Sequence, residues 1–287
     1  MNTIISAYRN RKACLKTFLR SLYLSGEETN AKYEVIVTDL NSTDGSDKIF
    51  NLYKDKMNLK VLKVRYAGPF WKTKALNHCA SKASGNLITM LDIDSMVLPG
   101  FLGHVDDFFK NGTKTKLAHR VRFVNDRVSQ RIKKNCNNLT KKELYAILCK
   151  NINRHKLALE RYTKKEIKLN DLPSNMRSDP EFYRTKALGN SHFTMPKDDF
   201  FKLGGFDERF IGHGLEDLDF NLRAFRYYKK GTLRPNSYFT VYHISHKHEK
   251  NWLSEKLREN NRIIYRKNKN KKIICLPIDT KRWGIFK

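Results

Sequence analysis

Acidic residues are scarce in this chain. Its 287 residues include 29 Asp and Glu against 57 Lys and Arg, a formal charge of +28. That deficit excludes the balanced surface usual for a soluble enzyme. It predicts a strong positive field and polyanionic company: nucleic acid, anionic lipid headgroups or phosphorylated substrates. Cysteines are also few. The five (Cys14, Cys79, Cys136, Cys149, Cys275) are scattered and odd in number, and none forms a CxxC pair. A reduced, cytosolic-type compartment fits that usage. Long apolar runs are missing, and none approaches the ~20 residues needed to cross a bilayer. No basic n-region followed by an apolar h-region opens the chain. The expectation is a cytoplasmic protein, soluble or lying peripherally on a membrane surface. Repeats and low-complexity linkers are absent too.

What is present is an alternation of strand and helix signals. Hydrophobic residues make up 40% of the chain, enough to bury the core of one large α/β domain or two small ones. Residues 3–7, 33–38, 59–64 and 87–91 read as short apolar strands. Residues 12–24 carry Leu15, Phe18, Leu19 and Leu22 at helical spacing, and residues 47–53 and 71–84 read as further helices. Repeated β-α units imply a mostly parallel sheet flanked by helices, with ligands at the carboxyl ends of the strands. Residues 110–168 differ, with 18 Lys and Arg against 4 acids. They read as a basic, partly helical insertion. Globular patterning returns near Gly189, with a strand, a short helix, the Gly204-Gly205-Phe206-Asp207 turn and a helix over 215–228. The tail from 247 to 272 holds 10 basic residues and 3 acids.

Three clusters carry chemistry. Asp92-Ile93-Asp94 lies just past a buried strand, and two carboxylates one residue apart can converge on a hard divalent cation such as Mg²⁺ or Mn²⁺. The bland alternative is a solvated loop with two acids. In His213-Gly214-Leu215-Glu216-Asp217-Leu218-Asp219, three acids open a helix. Acids there are stabilised by the helix dipole, but in so basic a chain the cluster also reads as a general base plus an acceptor-binding carboxylate. His243, His246 and His248 follow a strand and can supply imidazole to a metal, or simply lie in a basic loop.

Together these stretches resemble the GT-A glycosyltransferases. The amino-terminal half is similar to the inverting family-two transferases in Ile4-Ile5-Ser6-Ala7-Tyr8-Arg9-Asn10-Arg11, in residues 35–46 around Asp39 and Asp44-Gly45-Ser46, and in Leu91-Asp92-Ile93-Asp94. Residues 203–210 through Glu216-Asp217 resemble the catalytic segment of β-1,4-galactosyltransferases, chondroitin-type polymerases and polypeptide N-acetylgalactosaminyltransferases. The resemblance covers about 1–100 and 188–248. It implies one GT-A domain: a Rossmann-like nucleotide-sugar-binding half (1–109), the basic helical insertion (110–188), an acceptor and catalytic half (189–248) and a basic helical tail (249–287). It also implies roles. Asp39 would contact uridine, with Ala7, Tyr8 and Arg9 lining that pocket. Asp92 and Ile93 would lie at the donor, and Asp94 would bind Mn²⁺ or Mg²⁺ with His243 or His246. Asp217 would be the base and Glu216 would hold the acceptor. Galactosyltransferases carry a tryptophan and two glycines before the acidic pair, whereas here His213-Gly214-Leu215 stands.

The chemistry is consistent with that assignment. A sugar diphosphate leaves only when its developing charge is neutralised, and Lys72, Lys74 and Arg9 are placed to help. The expected function is metal-dependent, inverting transfer of a hexose, N-acetylhexosamine or uronic acid from a UDP-sugar to a glycan or glycoconjugate hydroxyl. Three rivals remain. One is a basic nucleic-acid or polyanion binder, although no helix-turn-helix, zinc-finger or RNP signature occurs and no specific nucleic acid is expected. Another is a catalytically inactive module acting as lectin or scaffold. The last is a metal-dependent phosphodiesterase or nucleotidyltransferase using Asp92 and Asp94. Trp252, Leu253, Leu257, Ile263 and Ile264 interleave with basic residues, as in segments that sit on anionic membranes.

Overall fold

The computed structural model describes residues 1–150, 191–212, 214–228, 239–246, 259–260 and 263. His213, His248, most of the carboxyl tail and the insertion beyond 150 lie outside the described residues. The strands are β1 (Asn2–Tyr8), β2 (Tyr33–Leu40), β3 (Leu59–Val64), β4 (Leu87–Met90), β5 (Ser95–Val97), β6 (Leu117–Ala118), β7 (Arg120–Phe123), β8 (Phe193–Pro196) and β9 (Thr240–His243). The helices are α1 (Lys12–Gly26), α2 (Asp47–Lys54), α3 (Lys72–Ser81), α4 (Phe101–Phe109), α5 (Asp126–Asn135), α6 (Lys141–Lys150), α7 (Lys197–Lys202) and α8 (Glu216–Tyr228).

Six strands form the main sheet in the order β3-β2-β1-β4-β8-β6. The first four are parallel, β8 runs antiparallel to β4, and β6 pairs antiparallel with β8. This is the α/β, mostly parallel architecture expected. Strands buried on both faces must be apolar at successive positions, and β1 and β2 are. Ile4 and Tyr8 face one core with Val35 and Val37, against α1, α2 and α4. Ile5 and Ala7 face the other with Ile36 and Leu40, against α3, α7 and α8.

The basic stretch starts inside the fold rather than beside it. Residues 117–118 close the main sheet as β6, and β7 joins a second sheet of order β5-β9-β7. Helix α5 starts at Asn125, whose side chain accepts the Val128 amide at 2.9 Å. Thr140 and Glu143 form a reciprocal box at the start of α6. Val128, Ile132, Leu144 and Leu148 pack with Met96, Tyr242 and Ile244 as a third core. Charge density hid this, because the Lys and Arg residues occupy the solvent faces of helices whose other faces are apolar.

At the amino ends of the parallel strands, buried Glu34 fastens three segments. It accepts from the Thr3 hydroxyl and Lys60 Nζ, each at 2.7 Å, and from the amides of Ser84 and Gly85. Burial raises its proton affinity, but the Lys60 and Thr3 contacts outweigh that and hold it below the usual glutamate value. Glu34→Ala strands the Ser84 amide and the Thr3 hydroxyl and leaves Gly85 only its bond to Thr3 Oγ1, and should cost about 3 kcal/mol in denaturant unfolding. Because the folded pKa is depressed, this contribution is full above the ordinary value of 4.5. It fades as pH falls through the folded value, so the gap between Glu34→Gln and the parent should close in acid.

Candidate active site

The acids and histidines converge at the carboxyl ends of β1, β2 and β4, where an open parallel sheet places its ligands. Strand pairing brings distant residues together. β5 begins directly after Asp94, and its register with β9 sets Ser95 opposite His243. The Ile244 amide then donates to the Asp94 carbonyl at 2.8 Å. Consequently Asp94, His243 and His246 present ligand atoms all within 4.8 Å of one another. His246 Nε2 lies 2.9 Å from Asp94 Oδ2, and His243 Nε2 lies 3.5 Å from Oδ1.

Asp94 Oδ1 is buried and accepts no hydrogen bond. Burial penalises its charge, but His246, His243 and Arg11 overcome that and hold the carboxyl well below its usual range. Burial lowers His243, leaving it a neutral imidazole at pH 7. One carboxylate, two imidazoles and an orphaned carboxylate oxygen form a donor set that fits Mn²⁺ or a similar divalent ion. Arg11 also reaches this cluster, with Nη1 3.0 Å from Asp94 and 2.6 Å from His246 Nε2.

Asp92 belongs to a second network. Lys72 Nζ lies 2.8 Å from Asp92 Oδ1 and 3.3 Å from Glu216 Oε1, at 4% exposure for the residue. Burial alone would drive its proton off, but Asp92 and Glu216 more than compensate and raise its pKa. Asp92 is depressed in turn, its burial outweighed by Lys72 and then His192. His192 sits 3.8 Å from Asp92 and hydrogen-bonds Ser95 Oγ at 2.7 Å. Burial pulls it to about 4.

Helix α3 also carries the loop that delivers Glu216. Asn77 exchanges two hydrogen bonds with Phe206, at 2.8 and 2.9 Å, and Thr73 donates to the Phe210 carbonyl. The Trp71 indole donates to the Glu208 carbonyl, and the Gly212 amide donates to the Phe70 carbonyl. Gly204 and Gly205 both take positive φ, 79° and 60°, which explains the glycine pair. Leu215 also sits at φ 71°, strained for a branched side chain, at a position where the galactosyltransferase pattern has glycine.

The three acids of α8 divide. Asp219 pairs with Arg223 within the helix, at 2.8 Å, and serves structure. Glu216 is anchored through Lys72 and the Gly214 amide. Asp217 is partly exposed and accepts the Leu218 amide at 2.7 Å. Burial of its carboxyl first, then the neighbouring Glu216 charge, raises it to about 6.

The expected donor residues are less uniform. Asp39 ends β2 beside Tyr8, accepts the Ser42 amide at 3.0 Å, and is raised by burial. Arg9 donates to the Gly68 carbonyl at 2.6 Å, tying β1 to the segment before α3. Tyr8 is committed to the core, stacked edge-on with Phe50 and donating to Asp44. Ala7 and Ile93 are likewise core side chains. Lys74 Nζ lies over the Trp71 ring, 4.5 Å from its centroid.

Two sequence profiles match in tandem, and the first, "Glycosyl transferase family 2", covers residues 3–167. The chain belongs to glycosyl transferase family 2. The second, "N-terminal domain of galactosyltransferase", covers residues 177–247. The family match therefore runs further than the resemblance read from the motifs, well into the basic stretch. The chain is 32% identical over 109 residues to the β-monoglucosyldiacylglycerol synthase of Nostoc sp. strain PCC 7120, covering 38% of this chain and 23% of that protein. It is 27% identical over 234 residues to the hyaluronan synthase of Pasteurella multocida, covering 78% and 23%. It thus spans about a quarter of the length of these curated relatives. Among solved structures, S. aureus TarS superposes with a TM-score of 0.60 at 18% identity, over 93% of this chain and 39% of TarS. The mannosyltransferase PcManGT of Pyrobaculum calidifontis, solved with GDP-Man and Mn²⁺, superposes with a TM-score of 0.52 at 15% identity, over 88% and 58%. At these identities the likeness is one of fold, and the fold is GT-A.

Removing the cation of the second network leaves buried Glu216 and partly exposed Asp92 without their shared partner. Lys72→Met should destabilise the protein by about 3–5 kcal/mol, measured by chemical denaturation. A loss below about 1 kcal/mol would show that Asp92 and Glu216 do not depend on it.

Proposed function

We propose that this glycosyltransferase is a metal-dependent, inverting enzyme that moves a hexose-type sugar from a UDP-sugar to a hydroxyl of a glycan or glycoconjugate. The observation carrying this reading is the meeting of the Asp94–His243–His246 cluster with the Lys72-linked Asp92, Glu216 and Asp217. When bound there, a divalent ion such as Mn²⁺ neutralises charge on the leaving diphosphate. Relatives by fold support a nucleotide-sugar donor: TarS is solved with UDP-GlcNAc and PcManGT with GDP-Man.

The chain's own residues supply the rest. Asp39, with Ala7, Tyr8 and Arg9 at the end of β1, lies at the nucleotide end. Asp92 flanks the donor sugar, with Ile93 packed in the core beneath it, and Lys72 and Lys74 add positive potential beside the phosphates. Glu216, fixed by Lys72, holds the acceptor. Asp217 takes the proton from the attacking hydroxyl. Attack from the side opposite the leaving group inverts the anomeric carbon in one displacement.

Exposed Arg127, Arg131, Lys134 and Lys142 on α5 and α6 form a basic face suited to an anionic membrane surface. Among the described residues no helix is long and apolar enough to cross a membrane.

Two substitutions separate the roles. Asp94→Ala should abolish stoichiometric Mn²⁺ binding, followed by electron paramagnetic resonance, and weaken UDP-sugar binding with it. Undiminished Mn²⁺ uptake by this variant would remove Asp94 from the metal site.

Asp217→Asn should instead leave metal and donor binding near normal and slow transfer by about 10²–10⁴-fold. With Asp217 near 6, the parent's transfer rate should rise with pH through about 6 as the carboxylate forms. An Asp217→Asn enzyme with most of its turnover would overturn the assignment of the base.

A further inference from the structure

Lys116 immediately precedes β6 and is fully buried. Its Nζ has no hydrogen-bond partner. An ammonium offers three donors, and burying it unpaired is costly enough that cores normally exclude it. Methionine or leucine would fill the same space without that cost. An unpaired lysine therefore needs an account from its surroundings.

Two features there favour a cation. One is the ring of Phe193, whose centroid lies 4.8 Å from Nζ. The other is the carboxylate of Asp217, whose charge favours the protonated amine. The register shows how they meet. Ala118 pairs with Phe193 across β6 and β8. Side chains alternate along a strand, so Lys116 lies on the same side of the sheet as Phe193. Phe193 stacks on Phe220 of α8, with centroids 5.0 Å apart and planes at 14°. Phe220 follows Asp217 by three residues, which puts the two on one helix face. The ammonium is thus linked to α8 through the Phe193–Phe220 stack, and Asp217 stands on that helix one turn before Phe220.

Asp217 has reason to need it. Glu216 on its own helix and Asp92 beyond β4 both repel a negative charge there, and Lys72 on α3 offsets them. Yet the Lys72 ammonium is already in contact with Asp92 and Glu216. Lys116 has no such contact. His119, three residues along, is kept neutral chiefly by burial, so it adds no competing cation.

We propose that Lys116 is a positioning residue for the catalytic base, a buried cation that keeps the Asp217 carboxylate ionised without touching substrate. This rests on Asp217 acting as the base. Burial draws Lys116 down to about 7 and Asp217 stands at about 6, so around neutrality each charge supports the other. A charge facing a carboxylate across an apolar wall is screened far less than one in water.

The test is Lys116→Met, which keeps the length of the side chain and removes its charge. Its melting temperature should equal or exceed the parent's, because an unpaired buried charge has gone. The gain should be largest below about pH 7. It should shrink as pH rises from there toward the ordinary lysine value, since over that range the unfolded chain still binds the proton that the folded protein has released. The acid limb of the transfer rate should move up by about one pH unit, a roughly fivefold loss at pH 6 that approaches tenfold below about pH 5. Acceptor KM and donor binding should stay near normal. Lys116→Arg, which keeps the charge, should restore the limb. A ¹³C titration of the Asp217 carboxylate, assigned by its loss in Asp217→Asn, reads the same coupling without any turnover. An Asp217 titration unchanged in Lys116→Met overturns the proposal. A shifted titration in a protein that transfers no sugar supports the coupling and instead removes Asp217 as a base.

Discussion

The ammonium of Lys72 sits between Asp92 and Glu216, and the rest of the site depends on it. These carboxylates come from opposite ends of the chain, one from the end of a parallel strand and the other from the first turn of α8. Without a cation between them they would repel each other in a buried setting. With it, the amino-terminal sheet and the carboxyl-terminal helix share one electrostatic centre. The contacts along α3, from Asn77 to Trp71, bring the loop before α8 up to that centre. Specificity of assembly thus comes from one charged residue at the start of a helix whose body supplies neutral hydrogen bonds.

The metal-type cluster is built by different means. Backbone pairing of β5 with β9 sets the separation of Asp94 and His243 before any side chain chooses a rotamer. A cluster placed by strand register is stiff, which suits a site that must hold ligand atoms at fixed distances. It also explains why the second sheet exists. Three short strands would be marginal alone. Here they are sealed by α5 and α6, the helices of the basic stretch.

Much of this was legible in the sequence. Apolar runs marked β1 to β4 because a parallel strand is buried on both faces. The DxD, GGFD and acidic-pair motifs marked the site because they place unusual residue types at strand and helix ends. What escaped notice was set by tertiary context. Lys72 reads in the sequence as one of three cations near the phosphates, and only its burial between Asp92 and Glu216 sets it apart. His192 and Lys116 lie in no recognisable motif, and Arg11 stands in one that says nothing of its contacts with Asp94 and His246. Tyr8 and Ile93 stand within motifs, yet their side chains serve the core. Asp219 shares the acidic run with Glu216 and Asp217, and its i,i+4 partner Arg223 shows why it takes no part in the site. The basic stretch looked peripheral because its charges are conspicuous and its apolar stripe is not.

The neighbours of β4 carry a consequence for synthesis. On one side it pairs with β1, made long before, and on the other with β8, made roughly a hundred residues later. During that interval on the ribosome, the nascent sheet ends in an open edge bearing Leu87, Ile88 and Met90, the kind of edge that recruits strands from other chains. The segment emerging meanwhile is the one with 18 basic residues and 4 acids. Its like charges hold neighbouring nascent chains apart while the edge waits for its own strand.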